Sequence, residues 1–230
     1  MYELFDGPEA QGRAEFVRLA LEDAGADYFD IARGFGRGRG VAATTAILQS
    51  PGLPQLPFAP PFLRDGDTLV GHVANILRHL AANLDLAPEG EKLATFAHGM
   101  QLTIDDLVSE LAIARKAATF PGERIVRYLS YFETIVARNP FDSGFCVGAS
   151  ATYVDLSLFQ LASGLADAFP RALANFDGAY PLLAALRRKI AARPMIAAYM
   201  ECDRRHAPGA SDVFRPDPAF ELSTPKGTLP

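Results

Sequence analysis

The sequence predicts an α/β domain followed by an all-α domain. At the N-terminus a strand, a turn, a helix and a second strand succeed one another, and an Asp65-Gly66 hairpin signal then precedes an amphipathic helix. Beyond Pro88, helical apolar spacing fills most of the chain. The 230 residues are 49% apolar and 21% charged, which suits two globular domains. The predicted boundaries are 1–86 for the first domain, 87–206 for the second and 207–230 for a C-terminal tail.

The first domain opens with a strand–turn–helix–strand unit. Tyr2–Asp6 predicts a short strand, and a turn at Pro8 leads into a helix over about 12–24. Gly25 follows that helix, as glycine often does, because it adopts the left-handed conformation without steric cost. Tyr28–Ile31 predicts the second strand, so the two strands should pair in parallel.

The middle of this domain is rich in turn-forming residues. The segment GFGRGRG at 34–40 predicts a loop, and because it follows the second strand and is expected to open no helix, it lacks the context of a phosphate-binding fingerprint. A weak helix is predicted over 41–49, and prolines between Pro51 and Pro61 prevent its continuation. Two short strands flank Asp65-Gly66 as a hairpin. A helix follows, with one apolar face formed by Val73, Ile76, Leu77, Leu80 and Leu84.

The second domain is predicted to be helical throughout. Two amphipathic helices come first, and the second of them ends at Asn139, before a proline. The segment 154–165 is apolar nearly all round, which indicates a helix buried on every side. Thr152 and Asp155 have the spacing of a capping box at its start. Two further helices precede a tail that we expect either to strap the surface or to be disordered.

Composition and charge exclude several functions. The 22 basic and 27 acidic residues give a net charge of -5, so a nucleic-acid partner is not expected. No apolar run is long enough to span a membrane, and no leader peptide is evident, so we expect a cytoplasmic protein without a membrane partner. The two cysteines and four histidines lack metal-ligand spacing, and no metal is predicted.

Two stretches carry a resemblance to a known family. Residues 61–67 (PFLRDGD) and 71–80 (GHVANILRHL) resemble the proline, hairpin and helix block of the cytosolic glutathione S-transferases, and residues 12–19 are similar to their tyrosine-type classes, such as pi and sigma. This resemblance implies a thioredoxin-like N-terminal domain of order βαβ-ββα and a helical C-terminal domain of the transferase type. It also implies glutathione as co-substrate, a small hydrophobic electrophile as second substrate and a homodimer.

By this resemblance, Pro61 is the family's cis proline, whose neighbour pairs with the cysteinyl part of glutathione. The neighbouring Pro60 has no amide hydrogen, so one of the two main-chain hydrogen bonds offered there is lost. Arg13 matches a residue near the glycine end of glutathione in several classes. The alternative for Arg13 is an ordinary surface charge on its helix.

Asp6 occupies the position of the hydroxyl that activates the thiol in tyrosine-type members. An ionised carboxylate cannot donate a hydrogen bond to sulfur, and its charge raises the pKa of a nearby thiol. No hydroxyl or thiol occurs at the adjacent positions. Asp6 therefore caps the next helix, acts as a base, or belongs to an inert site.

Two more positions bear on glutathione. His72 and Val73 stand where the family places glutamine and then serine or threonine to hold the γ-glutamyl carboxylate. The helix amides and His72 still favour an anion, although the hydroxyl is absent. Asp106 matches a position from which some dimeric members reach the γ-glutamyl amine of the partner subunit, or it belongs to a solvated helix face.

Three functions stay open at this point. The first is weak conjugation of glutathione to an electrophile. The second is a binding or structural role that keeps the fold and has lost glutathione chemistry. The third is hydrolytic or isomerising chemistry based on Asp6.

Overall fold

The computed structural model describes residues 1–8, 11–119, 121–210 and 212–217. The chain forms two compact units. Unit one comprises Met1–Ala87 and Pro194–Asp212, and unit two comprises Pro88–Arg193 and Val213–Pro230. In the described ranges, no helix is both long enough and apolar enough to cross a membrane.

Unit one contains a mixed four-stranded sheet. Its elements, numbered in chain order, are β1 (Tyr2–Phe5), α1 (Ala14–Asp23), β2 (Tyr28–Asp30), α2 (Gly40–Leu48), β3 (Phe62–Asp65), β4 (Thr68–Gly71), α3 (Val73–Asn83) and α9 (Pro194–Glu201). The strand order is β2-β1-β3-β4. Strands β1 and β2 are parallel, as predicted, and the other two pairs are antiparallel.

The core of unit one lies on both faces of this sheet. The rings of Phe5 and Phe62, on neighbouring strands, stack with centroids 4.6 Å apart and are buried with Ile31. Helix α1 packs against α3 and α9, and every residue from Ala14 to Asp23 is buried. Such complete burial includes charged side chains, which must therefore find partners within the unit.

Unit two is an all-α bundle. Its helices are α4 (Glu91–Lys116), α5 (Gly122–Ala137), α6 (Tyr153–Ala168), α7 (Phe176–Ala179) and α8 (Pro181–Ala191). Helix α6 is almost wholly buried and packs against α4 and α8. The predicted capping box is present at its start. There the Thr152 amide and hydroxyl both donate to Asp155 Oδ2 at 2.8 Å, and the Cys146 amide donates to Oδ1 at 2.7 Å.

The predicted fold class is confirmed, but the units differ from the predicted domain boundaries. Pro194–Asp212 belongs to unit one, whereas the sequence assigned 194–206 to the second domain and 207–212 to the tail. Polar contacts explain the difference, because the Tyr199 hydroxyl donates to Glu15 Oε2 at 3.2 Å in the core of unit one. Of the predicted tail, residues 211 and 218–230 lie outside the described residues, while Phe214 is buried in unit two.

Candidate functional site

Unit one contains an open cleft of about 800 Å³ beside the loop that precedes β3. Five of the predicted site residues line it: Arg13, Pro60, Pro61, His72 and Val73. The remaining walls come from the preceding loop, from β4 and from α3. A cleft of this size lies within the range of small-molecule sites.

A cis peptide bond shapes one wall of the cleft. The bond between Pro60 and Pro61 is cis, and Phe62 begins β3 directly after it. Pro61 is buried while Pro60 is exposed. Because neither proline carries an amide hydrogen, this wall offers a ligand main-chain carbonyl oxygens as acceptors but no main-chain donor at these two positions.

The N-terminus of α3 forms the facing wall. His72 is the N-cap residue and has φ 70°, a left-handed conformation that is uncommon for a residue with a Cβ. Val73, the first residue of the helix, is only 3% exposed. The amides of the first helical turn carry partial positive charge, so this end of the cleft favours an anion.

His79 also lines the cleft and was not singled out from the sequence. Its Nε2 lies 2.8 Å from Asp65 Oδ2, at the hairpin. His72, the N-cap, and His79, within α3, both line the cleft, and no helical spacing joins them because His72 has non-helical backbone angles. Asp65 fixes the imidazole, so His79 is an oriented polar group at this end of the cleft.

Asp6 is not among the residues that line the cleft. Its side chain is 12% exposed, and Oδ2 lies 3.6 Å from Nη2 of Arg18, which is fully buried. Burial raises the pKa of Asp6 to about 6, against the opposing effects of Arg18 and of the Gly7 amide. At neutral pH most of this carboxyl group is ionised, so it accepts hydrogen bonds and donates none.

Arg18 is the centre of a buried ionic cluster. Its Nε donates to Asp30 Oδ2 at 2.7 Å, and its Nη1 donates to the Gln11 carbonyl at 2.7 Å. Glu15, also fully buried, lies 3.5 Å from Nη1. Burial raises the pKa of Glu15, which Arg18 and other neighbouring guanidinium groups oppose. Asp6 is therefore one of three carboxylates that surround the buried Arg18 guanidinium.

The structure does not show Asp6 capping α1. That helix begins at Ala14, its N-cap residue is Arg13, and no side chain makes the capping hydrogen bond. Residues 6–13 lie between the end of β1 at Phe5 and the start of α1 at Ala14. The capping interpretation of Asp6 is thus replaced by a pairing with Arg18.

Asp106 lies on α4 in unit two and is exposed. Its neighbour Asp105 is buried and accepts a hydrogen bond from Gln101 Nε2 at 3.2 Å. The exposed position suits either a solvated helix face or a contact with a ligand of a partner subunit. The role of Asp106 stays a prediction.

Metal-ligating side chains do not cluster in the parts of the chain that the structure describes, since no group of three or more His, Cys, Asp or Glu residues there could hold a metal ion. Cys146 is buried, and burial together with the nearby Asp155 raises the pKa of its thiol. Cys202 is partly buried, and its Sγ lies 3.2 Å from the Tyr199 carbonyl oxygen.

Comparisons of sequence give one consistent family. The family model described as the glutathione S-transferase C-terminal domain matches residues 104–203. Glutathione S-transferases from Plasmodium yoelii yoelii and Plasmodium falciparum are each 26% identical, over 83% and 84% of this chain and 89% and 92% of their own. Glutathione S-transferase P 1 from Bufo bufo is 27% identical over 84% of this chain and 89% of its own.

Solved structures share the fold. NaGST-2 superposes with a TM-score of 0.69 at 20% identity, covering 90% of this chain and 98% of its own. Na-GST-3 from Necator americanus, described as monomeric, gives the same values. A pi-class glutathione S-transferase from Onchocerca volvulus has a TM-score of 0.69 at 23% identity, over 87% of this chain and 92% of its own.

Proposed function

We propose that the protein binds glutathione in the cleft of unit one and transfers it slowly to a small apolar electrophile. This is supported by the match of residues 104–203 to the glutathione S-transferase C-terminal domain and by the 26% identity to a transferase of that name. The observation that carries this proposal is the joint presence of the cis Pro60–Pro61 bond and the N-terminus of α3 in one cleft. Those two features are the ones that the family resemblance assigns to glutathione.

Binding is supported by the polarity of the cleft. The α3 amides and His72 provide positive partial charge for the γ-glutamyl carboxylate, and Arg13 provides a full positive charge for the glycyl carboxylate. The main-chain carbonyl before β3 accepts from the cysteinyl amide. Val73 contributes no hydroxyl, so affinity is expected to be lower than with serine or threonine at that position.

Slow chemistry follows from the groups around the thiol. Conjugation requires the thiolate, whose sulfur forms a bond to the electrophilic carbon while a leaving group departs with its electron pair and the thiol proton passes to solvent. A free thiol has a pKa of about 8.5, so only a few per cent is ionised at pH 7. Asp6 supplies no donor to stabilise the thiolate, and its negative charge opposes ionisation.

A second candidate is a binding or structural protein that has the glutathione S-transferase fold and does not catalyse a reaction of glutathione. The specific observation that favours it is the Asp6–Arg18 pair, since it commits the residue at the hydroxyl position to a buried ionic cluster. In this case the cleft keeps a binding role, and the electrophile has no site.

Calorimetric titration with glutathione, followed by an assay of conjugation to an aryl halide, separates the two candidates. The proposal expects saturable binding and a measurable rate that increases in Asp6→Tyr or in the smaller Asp6→Ser, because each restores a hydroxyl donor. Asp67→Asn, an exposed change in the hairpin turn, is the matched control. Binding without turnover supports the second candidate, and absence of binding at millimolar glutathione overturns the first.

We also propose that the protein is a homodimer, as the family resemblance implies and as two-fold pairs are frequent among oligomers. The monomeric description of Na-GST-3 shows that the fold also occurs without a partner. Sedimentation velocity between about 1 and 50 µM, a range that brackets micromolar affinities, is the direct measurement. A single species of 24.8 kDa throughout would refute the dimer.

A further inference from the structure

An irregular segment of unit one lies against the loop between β1 and α1. We call this segment, residues 203–210 together with Asp212, the strap. Its main chain is held at two places: Arg33 Nη1 donates to the Arg204 carbonyl at 2.8 Å, and Gln11 Nε2 donates to the His206 carbonyl at 2.6 Å. The strap is therefore held through its carbonyl groups by Gln11 of this loop and by Arg33, which follows β2.

The end of the strap is held more tightly, by a carboxylate. Asp212 Oδ1 accepts from the Gly12 amide at 2.8 Å, and Oδ2 accepts from the Gln11 amide at 3.2 Å. The same Oδ2 accepts from the Gly209 amide at 2.5 Å, which closes the strap on itself. Asp212 is only 5% exposed, so this arrangement is largely removed from water.

Two successive amides that point at one anion form a backbone anion site. Gly12 has φ +57°, a left-handed conformation that favours glycine, and left-handed residues are common in backbone anion sites of this kind. Hydrogen bonds from amides to a carboxylate are stronger than those to a neutral oxygen. The loop thus contains a built anion site, and the anion that fills it belongs to the chain itself.

This site adjoins the groups proposed to hold glutathione. Gly12 immediately precedes Arg13, which lines the cleft. A Cβ built on Gly12 would lie 3.1 Å from Asp6 Oδ2 and 3.9 Å from Asp212 Oδ1, so the anion site is also next to the residue at the family's hydroxyl position. Gln11, Gly12 and Asp212 do not line the cleft themselves, so these amides become available to a ligand carboxylate near Arg13 only when Asp212 leaves them.

We propose that the strap is an intramolecular latch, in which the Asp212 carboxylate competes with the carboxylate of a ligand for the amides of Gln11 and Gly12. Release of the strap exposes an anion site that extends the cleft, and its closure lowers the apparent affinity for carboxylate ligands. The competition rests on the proposed function, since glutathione is the carboxylate expected there. The latch itself rests only on the contacts of unit one.

Hydrogen exchange of the unliganded protein tests the latch without any ligand. In Asp212→Asn, exchange at the Gln11 and Gly12 amides is expected to rise by about tenfold or more, because an uncharged oxygen holds them less firmly. Asp203→Asn, an exposed change in the same strap, is the control and should leave exchange unchanged. Asp212→Ser is the second variant if Asn fails to fold. Equal exchange in the Asp212 variants and the wild type overturns the latch.

Titration of the same proteins with glutathione tests the competition. The dissociation constant in Asp212→Asn is expected to fall by about three- to tenfold, since the fraction of molecules with free amides rises. Equal affinity of the wild type, Asp212→Asn and the control Asp203→Asn for glutathione overturns the competition. If none of them binds glutathione, the proposed function fails, and the exchange result alone decides whether the strap is a latch.

Discussion

Asp6 Oδ2 lies 3.6 Å from Nη2 of Arg18, an ion pair in which the guanidinium is fully buried and the carboxylate is 12% exposed. The pair gives Asp6 a structural partner at the position where tyrosine-type transferases are expected to place a hydroxyl. The attraction of Arg18 offsets only part of the free-energy cost of burying the Asp6 carboxylate. Burial has the largest effect on the Asp6 pKa and raises it to about 6. Asp6 therefore belongs to the buried ionic cluster of unit one, and its effect on glutathione chemistry is part of the proposed function.

Asp6→Asn is expected to change how stability depends on pH. The pKa of Asp6 in the folded protein, about 6, is above the unfolded value of 3.8, so the protonated form favours folding. The contribution of the protonated Asp6 carboxyl group to the free energy of unfolding is complete below about pH 4 and is lost as pH rises through 6. Relative to Asp6→Asn, the wild type should therefore lose about 2 to 3 kcal/mol between pH 4 and pH 7.5. Urea unfolding across this range measures the difference.

The exposed turn variant Asp67→Asn is the control for this measurement. Groups that titrate in both proteins cancel in the comparison, so only the mutated carboxyl group contributes to the pH dependence of the difference. A difference between wild type and Asp6→Asn that stays constant across the range would contradict the buried ionisation.

Arg18→Met is expected to destabilise unit one by about 3 to 5 kcal/mol, because it leaves Asp6, Glu15 and Asp30 without their shared cation. Methionine fits the volume of the stem, so the loss is one of charge rather than of packing. The matched control is Arg64→Met, which breaks a half-exposed pair with Glu3 of 2.8 Å. The control should change stability by less than about 1 kcal/mol. Chemical denaturation distinguishes them, and equal losses would contradict the role of the buried cluster.

Features set by residues close in the chain were predictable. The double proline, the Asp65-Gly66 turn and the Thr152–Asp155 box each depend on local backbone preferences, and the structure contains all three. The site residues themselves were assigned by the family resemblance and not by these local signals, and five of them line one cleft.

Contacts between distant residues were not predictable in this way. Gln11 and Asp212 are separated by 201 positions, and Glu15 and Tyr199 by 184, with no periodic pattern to join them. The burial that shifts the Asp6 pKa depends on the same long-range packing. The sequence could therefore identify the residue that stands at the hydroxyl position but not its partner.

Packing in unit two provides a prediction at Gly164 on α6. A Cβ built there would lie 2.5 Å from Cγ of Phe214, whose side chain is 3% exposed. Gly164→Ala should therefore destabilise the protein by about 1 to 3 kcal/mol, although alanine is the better helix former. Thermal unfolding measures the change.

The control for this packing is Gly99→Ala on α4, where no atom lies within 4 Å of a built Cβ. That change should stabilise the protein by about 0.5 to 1 kcal/mol, from helix propensity alone. Combining Gly164→Ala with Phe214→Leu should cost less than the sum of the two single changes. Additive losses would show that the two side chains do not meet.

Val73→Thr is expected to strengthen glutathione binding. Threonine keeps the branched shape of Val73 at the start of α3 and adds the hydroxyl that the family resemblance assigns to this position. A hydrogen bond to a carboxylate contributes about 1.5 kcal/mol or more, so the dissociation constant should fall by about tenfold. Calorimetric titration gives the value. Val70→Thr introduces the same hydroxyl elsewhere in the cleft, on β4 rather than in the first turn of α3, and should leave the constant unchanged. Equal affinities of Val73→Thr and wild type would mean that the γ-glutamyl carboxylate does not bind at the α3 N-terminus.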